Sequence, residues 1–170
     1  MRIAEVPGYD PTGKNHRDLM AYLVNGMGWT RGAELGVARG IMFRKLLTEC
    51  PALHLIGVDL FRKPHNRPTV MAIVAEFSER CTIYGMATNR AARFVKDGSL
   101  DFVFIDAGHG YEAVRDDIRN WLPMVRPGGW LMGHDFDTAV HPGVVRAVNE
   151  AFGAAFRLLP HTCWAAAVAS

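Results

Sequence analysis

The chain has 170 residues, of which 49% are hydrophobic and 21% are charged, with 17 Gly and 9 Pro. This is the composition of one ordinary globular domain, because a disordered chain has fewer apolar residues and a larger charge imbalance. The formal net charge of +2 excludes a strongly basic surface for nucleic acid or an anionic membrane. With no apolar run of roughly 18 residues and no signal-peptide pattern, we expect a cytoplasmic protein without membrane segments.

The predicted elements alternate between helices and strands along the chain. A helix is expected over residues 16–27, where the apolar side chains fall on one face. Apolar strands follow near 32–35, 54–59, 81–84, 100–106 and 129–135. The clearest helical segment between them is 111–125, which we expect to stop at Pro127-Gly128-Gly129. Strands that are apolar throughout are typical of a parallel sheet with both faces covered, so the pattern predicts a doubly wound α/β fold.

The C-terminal segment departs from this alternation. After a helix at about 142–152, strands near 155–159 and 163–168 are joined by only three residues. A parallel connection needs a dozen or more residues, so these strands must form an antiparallel hairpin. We therefore predict a single domain over residues 1–170: a Rossmann-like, mostly parallel sheet of seven strands with a C-terminal antiparallel hairpin. Residues 1–30 are expected to be a helical N-terminal extension.

The loop after the first strand is the first candidate binding site, since ligands of open α/β sheets bind beyond the carboxyl ends of the strands. It reads Glu34-Leu35-Gly36-Val37-Ala38-Arg39-Gly40 and lacks the Gly-x-Gly-x-x-Gly spacing of a dinucleotide site. Asp59, at the end of the second strand, is suited to accept both hydroxyls of a ribose. Each feature also occurs without a ligand, as a plain turn or a helix cap. Together they indicate an adenosine-type ligand whose tail need not be phosphate.

Four ordered motifs carry a family resemblance that spans roughly residues 30–152. They are the loop 34–40, Gly57-Val58-Asp59, Asp106-Ala107-Gly108-His109-Gly110-Tyr111, and Pro127-Gly128-Gly129-Trp130-Leu131-Met132-Gly133-His134-Asp135. In these motifs the chain resembles the class I S-adenosylmethionine (SAM)-dependent methyltransferases. The resemblance is nearest to methyltransferase family 24, the branch of macrocin-type sugar O-methyltransferases and cephalosporin-hydroxylase-like proteins, with the catechol O-methyltransferases more distant.

The resemblance implies a set of cofactor contacts. Glu34, Gly36 and Gly40 would surround the methionine part of SAM, and Asp59 would hold its ribose. The residues implied near adenine are Leu60, Met86 and Ala87. Asp106 is expected to contact the cofactor and also to belong to a candidate metal site. The loop departs from the commoner pattern at one position, because Ala38 stands where those relatives have a middle glycine.

Asp106, His134 and Asp135 follow two strands that are neighbours in this fold, so their side chains can converge. Converging carboxylates are suited to a hard divalent cation. The resemblance implies magnesium at these strand ends, but an imidazole at His134 suits manganese, iron or zinc better. Two alternatives stay open, a Mg or Mn site with or without His134 as ligand, and hydrogen-bonded acids without metal.

His109 lies three residues after Asp106 and is the candidate general base, since an imidazole titrates near neutral pH. The other histidines, including His16 and His141, are interpreted as ordinary strand, loop or cap residues. Asp117 is interpreted as a charge on a helix surface, although it borders the apolar face beside Trp121.

These features predict a SAM-dependent O-methyltransferase, with possible metal assistance, acting on a small hydroxylated molecule. One alternative is a cofactor-binding module without chemistry of its own, because little chain is left to build a substrate pocket. The short chain also suggests that a second copy closes the substrate pocket. A nicotinamide-dependent oxidoreductase is disfavoured by the missing dinucleotide motif. An iron-type hydroxylase is disfavoured because no two-histidine, one-carboxylate arrangement is evident from the sequence.

Overall fold

The computed structural model describes residues 4–169 and contains seven strands within them. The strands are β1 (Arg31–Leu35), β2 (His54–Val58), β3 (Cys81–Tyr84), β4 (Leu100–Ile105), β5 (Val125–Gly133), β6 (Arg157–Leu159) and β7 (Cys163–Ala167). They form one sheet in the order β3-β2-β1-β4-β5-β7-β6. The first five strands are parallel, and β7 pairs antiparallel with both β5 and β6. The predicted seven-stranded sheet with its C-terminal hairpin is confirmed.

Helices cover both faces of this sheet. They are α1 (His16–Gly26), α2 (Ile41–Glu49), α3 (Asn66–Glu76), α4 (Thr88–Ala91), α5 (Tyr111–Trp121) and α6 (Pro142–Phe152). The apolar faces of the first three pack into one core cluster, and those of the last three pack into a second cluster on the other face. Within the described residues, no helix has both the length and the apolar character needed to cross a bilayer.

The helix that was predicted over 111–125 is shorter in the structure. It ends at Trp121, and residues Leu122–Met124 form a single 3-10 turn. Pro123 explains the difference, because it has no N–H with which to continue the helical hydrogen bonding. The next strand accordingly begins at Val125 rather than at residue 129, and its pairing with β4 is irregular before it resumes at Trp130.

The N-terminal segment packs closely on the rest of the fold. Leu19 and Met20 of α1 are fully buried in the first core cluster, and the helix lies against α2. Asn15 begins α1 with a capping box, in which its side chain accepts from the N–H of Arg17 (2.9 Å) while Asp18 accepts from the N–H of Asn15 (2.9 Å). This cap fixes the position of His16, the first residue of the helix.

Candidate functional site

The candidate site lies at the carboxyl edge of the central strands. Backbone hydrogen bonds continue the parallel ladders one residue past the strand ends, from the N–H of Gly36 to Val58 (2.8 Å), of Asp106 to Leu35 (2.8 Å) and of His134 to Ile105 (3.1 Å). The residues that follow β1, β4 and β5 are thereby held side by side. The predicted strands had included Asp59, Asp106 and Asp135, whereas each of these acids lies just beyond its strand.

The loop after β1 approaches the end of β4 closely. Gly36 has a φ of +96°, and a Cβ at this position would overlap the backbone carbonyl of Asp106. Only glycine fits such a position. Ala38 has a φ of +50°, the left-handed conformation that glycine prefers. The alanine that departs from the family pattern therefore keeps a glycine-like backbone. Gly40, with a φ of +77°, precedes α2.

Asp59 organises this loop. One carboxylate oxygen accepts from the N–H of Ala38 (2.8 Å), and the other accepts from the N–H of Phe61 (2.5 Å). Phe61 also has a left-handed φ of +50°, so the carboxylate holds two unfavourable backbone conformations in place. Each oxygen retains a further lone pair for another donor.

Glu34 is the most deeply buried acid at this edge. Its Oε2 atom has no hydrogen-bond partner among residues 4–169. Burial, and secondly the nearby Asp106, raise the pKa of Glu34 well above its usual range. The side chain lines a cavity of about 360 Å³ whose other walls include His16, Arg17, Gly36, Lys63 and Asp106. A buried carboxyl without a partner beside an open cavity is suited to a ligand that carries a donor or a positive charge.

The three residues that the family resemblance places near adenine lie at the ends of β2 and β3. These strands pair in register, with Val58 opposite Tyr84. Leu60 follows β2 with 51% of its surface exposed. Met86 and Ala87 follow β3 and are partly buried, and Met86 packs against the second core cluster. An exposed leucine beside this edge offers an apolar surface for a flat ring.

His109 meets both strand-end acids. Its Nε2 atom lies 2.6 Å from Oδ2 of Asp135 and 3.8 Å from Oδ1 of Asp106. The close contact with Asp135 does not have the geometry of a hydrogen bond. It is an ion pair when the imidazole of His109 is protonated. Burial, and secondly the charge of Asp135, raise the pKa of Asp106 to about 7. The predicted grouping of His109, Asp106 and Asp135 at one point is therefore present.

His134 lies between the same acids. Its Nδ1 atom is 3.0 Å from Oδ1 of Asp135 and 3.9 Å from Oδ1 of Asp106, and its Nε2 atom is 3.3 Å from the hydroxyl of Thr162. Burial lowers the pKa of His134. Asp135 itself has a φ of +61°, an uncommon conformation for a residue other than glycine.

Two histidines that were interpreted as ordinary residues belong to this cluster. The ring of His141 lies 4.6 Å from that of His109, and the ring of His16 lies 4.1 Å from that of His134. Burial, followed by the proximity of His134, lowers the pKa of His16 to about 4. His16, Asp106 and His134 can each offer a ligand atom within 4.8 Å of the others. Two histidines and one carboxylate, an arrangement that was not evident from the sequence, therefore lie together here, because α1 brings His16 to the strand ends from a distant part of the chain.

Asp117 was also misplaced by the sequence pattern. It is 3% exposed, rather than on the helix surface, and accepts a hydrogen bond from the Thr88 hydroxyl at 2.5 Å. Burial raises its pKa to about 6. The available signal was its spacing, since Asp117 stands four residues before the buried Trp121 on the same helical face.

Comparison with known proteins identifies the family. A family model described as a methyltransferase domain, of methyltransferase family 24, matches residues 33–136. The chain belongs to this family. The match contains all of the strand-end residues discussed above but not α1 or the C-terminal hairpin. No curated protein matches this methyltransferase.

Solved structures share the fold of this methyltransferase over nearly its whole length. A Klebsiella pneumoniae protein described as an O-methyltransferase has a TM-score of 0.71 at 20% identity, with 97% of this chain and 84% of that chain covered. The O-methyltransferase TomG of Streptomyces achromogenes, in complex with SAM, has a TM-score of 0.69 at 14% identity over 90% and 79%. A Bacillus cereus O-methyltransferase, in complex with S-adenosylhomocysteine (SAH), has a TM-score of 0.66 at 15% identity, with 95% of this chain and 83% of that chain covered.

Proposed function

We propose that this methyltransferase uses SAM to methylate a hydroxyl group of a small molecule. The observation that carries the proposal is Glu34, which lines the 360 Å³ cavity together with Gly36 and Asp106 and whose buried Oε2 atom has no hydrogen-bond partner in the part of the chain that the structure describes. SAM carries a primary ammonium group, and the Glu34 carboxylate would accept hydrogen bonds from its N–H donors. The O-methyltransferases of the same fold that are complexed with SAM or SAH support both the cofactor and the oxygen acceptor.

In this proposal the cofactor lies along the carboxyl ends of β1, β2 and β3. Glu34 and the turn from Gly36 to Gly40 take the methionine end, and Asp59 offers its remaining lone pairs to the ribose hydroxyls. The adenine ring lies against the residues that follow β2 and β3, which are Leu60, Met86 and Ala87.

The chemistry needs a base and a defined approach of the two substrates. His109 accepts the proton of the acceptor hydroxyl, and Asp135, 2.6 Å away, stabilises the imidazolium that forms. The acceptor oxygen attacks the methyl carbon, the bond from that carbon to sulfur breaks, and S-adenosylhomocysteine leaves. Because the sulfonium already activates the methyl group, the main contributions of the protein are positioning and deprotonation.

A divalent cation fits the neighbouring residues and is part of the proposal. Asp106, His134 and Asp135 would hold it, and Mg or Mn are the candidates. When bound, such a cation lowers the pKa of a hydroxyl that coordinates to it.

The test is transfer of tritium from [methyl-³H]SAM to a panel of catechols and sugars, with and without added Mg²⁺ or Mn²⁺. We expect a labelled product and one equivalent of S-adenosylhomocysteine, and a loss of at least tenfold in kcat/KM for SAM in Glu34→Gln. Glu79→Gln, an exposed glutamate away from the site, is the matched control. Binding of SAM without transfer to any acceptor would instead support a cofactor-binding module. Assembly with a second copy of the chain remains a separate proposal, which sedimentation velocity tests.

A further inference from the structure

The inference concerns which metal the site takes, and it depends on a residue outside the matched family segment. His16 is the first residue of α1, whereas the family model begins at residue 33. Ligand atoms of His16, Asp106 and His134 lie within 4.8 Å of one another. Ligands around an ion with bonds of about 2.1 Å are separated by about 3–4 Å, so small side-chain rotations would close this set around a cation.

The three side chains are held by independent parts of the fold. Asp106 and His134 are fixed by the backbone bonds that continue the β4 and β5 ladders. His16 is fixed by the Asn15 capping box and by the burial of the helix behind it. The arrangement is therefore present before any ligand arrives, which reduces the cost of assembling a metal site.

The ring nitrogens have distinct surroundings. The Thr162 hydroxyl lies 3.3 Å from Nε2 of His134, while Nδ1 of the same ring lies 3.0 Å from Asp135 and 3.9 Å from Asp106. Metal-bound histidines usually have their second ring nitrogen engaged by such a hydrogen bond, which sets the ring orientation. The His16 ring packs against His134 with centroids 4.1 Å apart and opens onto the same cavity as Asp106.

Two imidazoles and one carboxylate differ from the all-oxygen environment that magnesium prefers. Nitrogen-rich sets favour manganese, iron, cobalt or zinc. We propose that His16, Asp106 and His134 form a transition-metal site that discriminates against Mg²⁺. In this set His16 takes the place that the proposed metal assistance gave to Asp135, so that Mn²⁺ remains a candidate and Mg²⁺ does not. The inference rests on the proposed function only for what the metal does, because the binding itself is independent of methyl transfer.

A second group of possible ligands shares Asp106. It consists of Asp106, His109 and Asp135. In that group His109 and Asp135 already contact each other at 2.6 Å, so a cation there would have to separate them. The set with His16 leaves the contact intact and keeps His109 available as a base.

The experiment starts from protein that has been stripped of metal with a chelator and then dialysed, without SAM or acceptor. It is titrated with Co²⁺, followed by visible absorption, and separately with Zn²⁺ and with Mg²⁺, followed by calorimetry. We expect one Co²⁺ per chain with nitrogen-ligand absorption bands, and Zn²⁺ binding at least 100-fold tighter than Mg²⁺. His16→Ala should weaken Co²⁺ at least tenfold, and His16→Gln tests the same ligand with a side chain of similar size. Circular dichroism confirms that the variants are folded.

Two further variants test the ligand assignment. One is a control, and the other distinguishes the set with His16 from the set with His109. His54→Ala removes an exposed histidine at the opposite end of β2 and should leave Co²⁺ affinity unchanged. His109→Ala should change it less than twofold. The proposal is overturned if Mg²⁺ binds as tightly as Zn²⁺, if folded His16 variants keep full Co²⁺ affinity, or if His109→Ala abolishes binding. A protein that binds Co²⁺ as expected but transfers no methyl group would refute the proposed function and leave the metal site standing.

Discussion

At the scale of single residues, strand-end positions could be predicted and long-range partners could not. Glu34, Asp59, Asp106 and Asp135 were identifiable because parallel strands direct their carboxyl ends to one edge of the sheet. The hydrogen bonds that Asp59 accepts from two backbone N–H groups depend on the conformation of the loops, and the order of residues in the sequence does not reveal that conformation. His16 joins the site only through the packing of α1, and nothing local to its sequence indicates this.

Asp59→Ala tests the ribose contact. The variant loses a charged acceptor for the ribose and also releases the N–H groups of Ala38 and Phe61, so we expect SAH affinity to fall at least tenfold by calorimetry. Asp59→Asn keeps one carbonyl acceptor and should lose less. Equal affinity in the parent protein and Asp59→Ala would show that Asp59 has no part in cofactor binding.

Replacing His109 tests the base. His109→Ala removes the imidazole that faces Asp106 and Asp135, so turnover should fall roughly 10²-fold or more while the dissociation constant of SAH stays unchanged. His65→Ala, in the exposed loop before α3, serves as the matched control. Unchanged turnover in the folded His109 variant would exclude it as the proton acceptor.

Asp117 should make stability depend on pH. Its pKa is raised by burial from 3.8 to about 6, so the folded protein binds a proton more tightly than the unfolded chain. Between these pH values its contribution to stability decreases as the pH rises, by on the order of 3 kcal/mol in total. Asp117→Asn still offers an oxygen to Thr88 and should remove that dependence, making the variant more stable than the parent at pH 8. Urea unfolding at pH 4.5 and 8 measures this dependence, with the exposed Asp97→Asn as control. An identical pH dependence in Asp117→Asn and the parent would contradict this assignment.

At the scale of elements, periodicity located every helix and strand that was predicted, but boundaries depended on specific residues. Pro123 ends α5 four residues earlier than the apolar periodicity suggests. The antiparallel hairpin was predictable because three connecting residues allow no other geometry. The insertion of β7 between β5 and β6 was not contained in that argument, since it depends on contacts across the whole sheet.

The cap of α1 gives a prediction at this scale. Asn15→Ala removes the acceptor for the Arg17 N–H and should reduce the free energy of unfolding by about 1 kcal/mol. Asn15→Ser retains a capping oxygen and should lose much less. Chemical denaturation compares the three proteins, and an unchanged midpoint in Asn15→Ala would show that packing alone holds the helix.

At the scale of the whole molecule, the fold, the matched family and the polar strand ends agree on one ligand edge. The β3-β2-β1-β4-β5-β7-β6 order brings the glycine turn and Asp106 beside a single cavity that is also lined by Glu34, whose Oε2 atom has no hydrogen-bond partner within residues 4–169. The sequence predicted this convergence because the alternation of elements fixed the parallel sheet. Fold alone does not establish the ligand, so cofactor identity is the claim on which the account depends.

Calorimetric titration of the purified protein with S-adenosylhomocysteine and, separately, with NAD⁺ tests that claim most directly. The account predicts saturable binding of one S-adenosylhomocysteine per chain, weakened at least tenfold by Glu34→Gln, and no detectable binding of NAD⁺. Saturable binding of NAD⁺ with none for S-adenosylhomocysteine would contradict it.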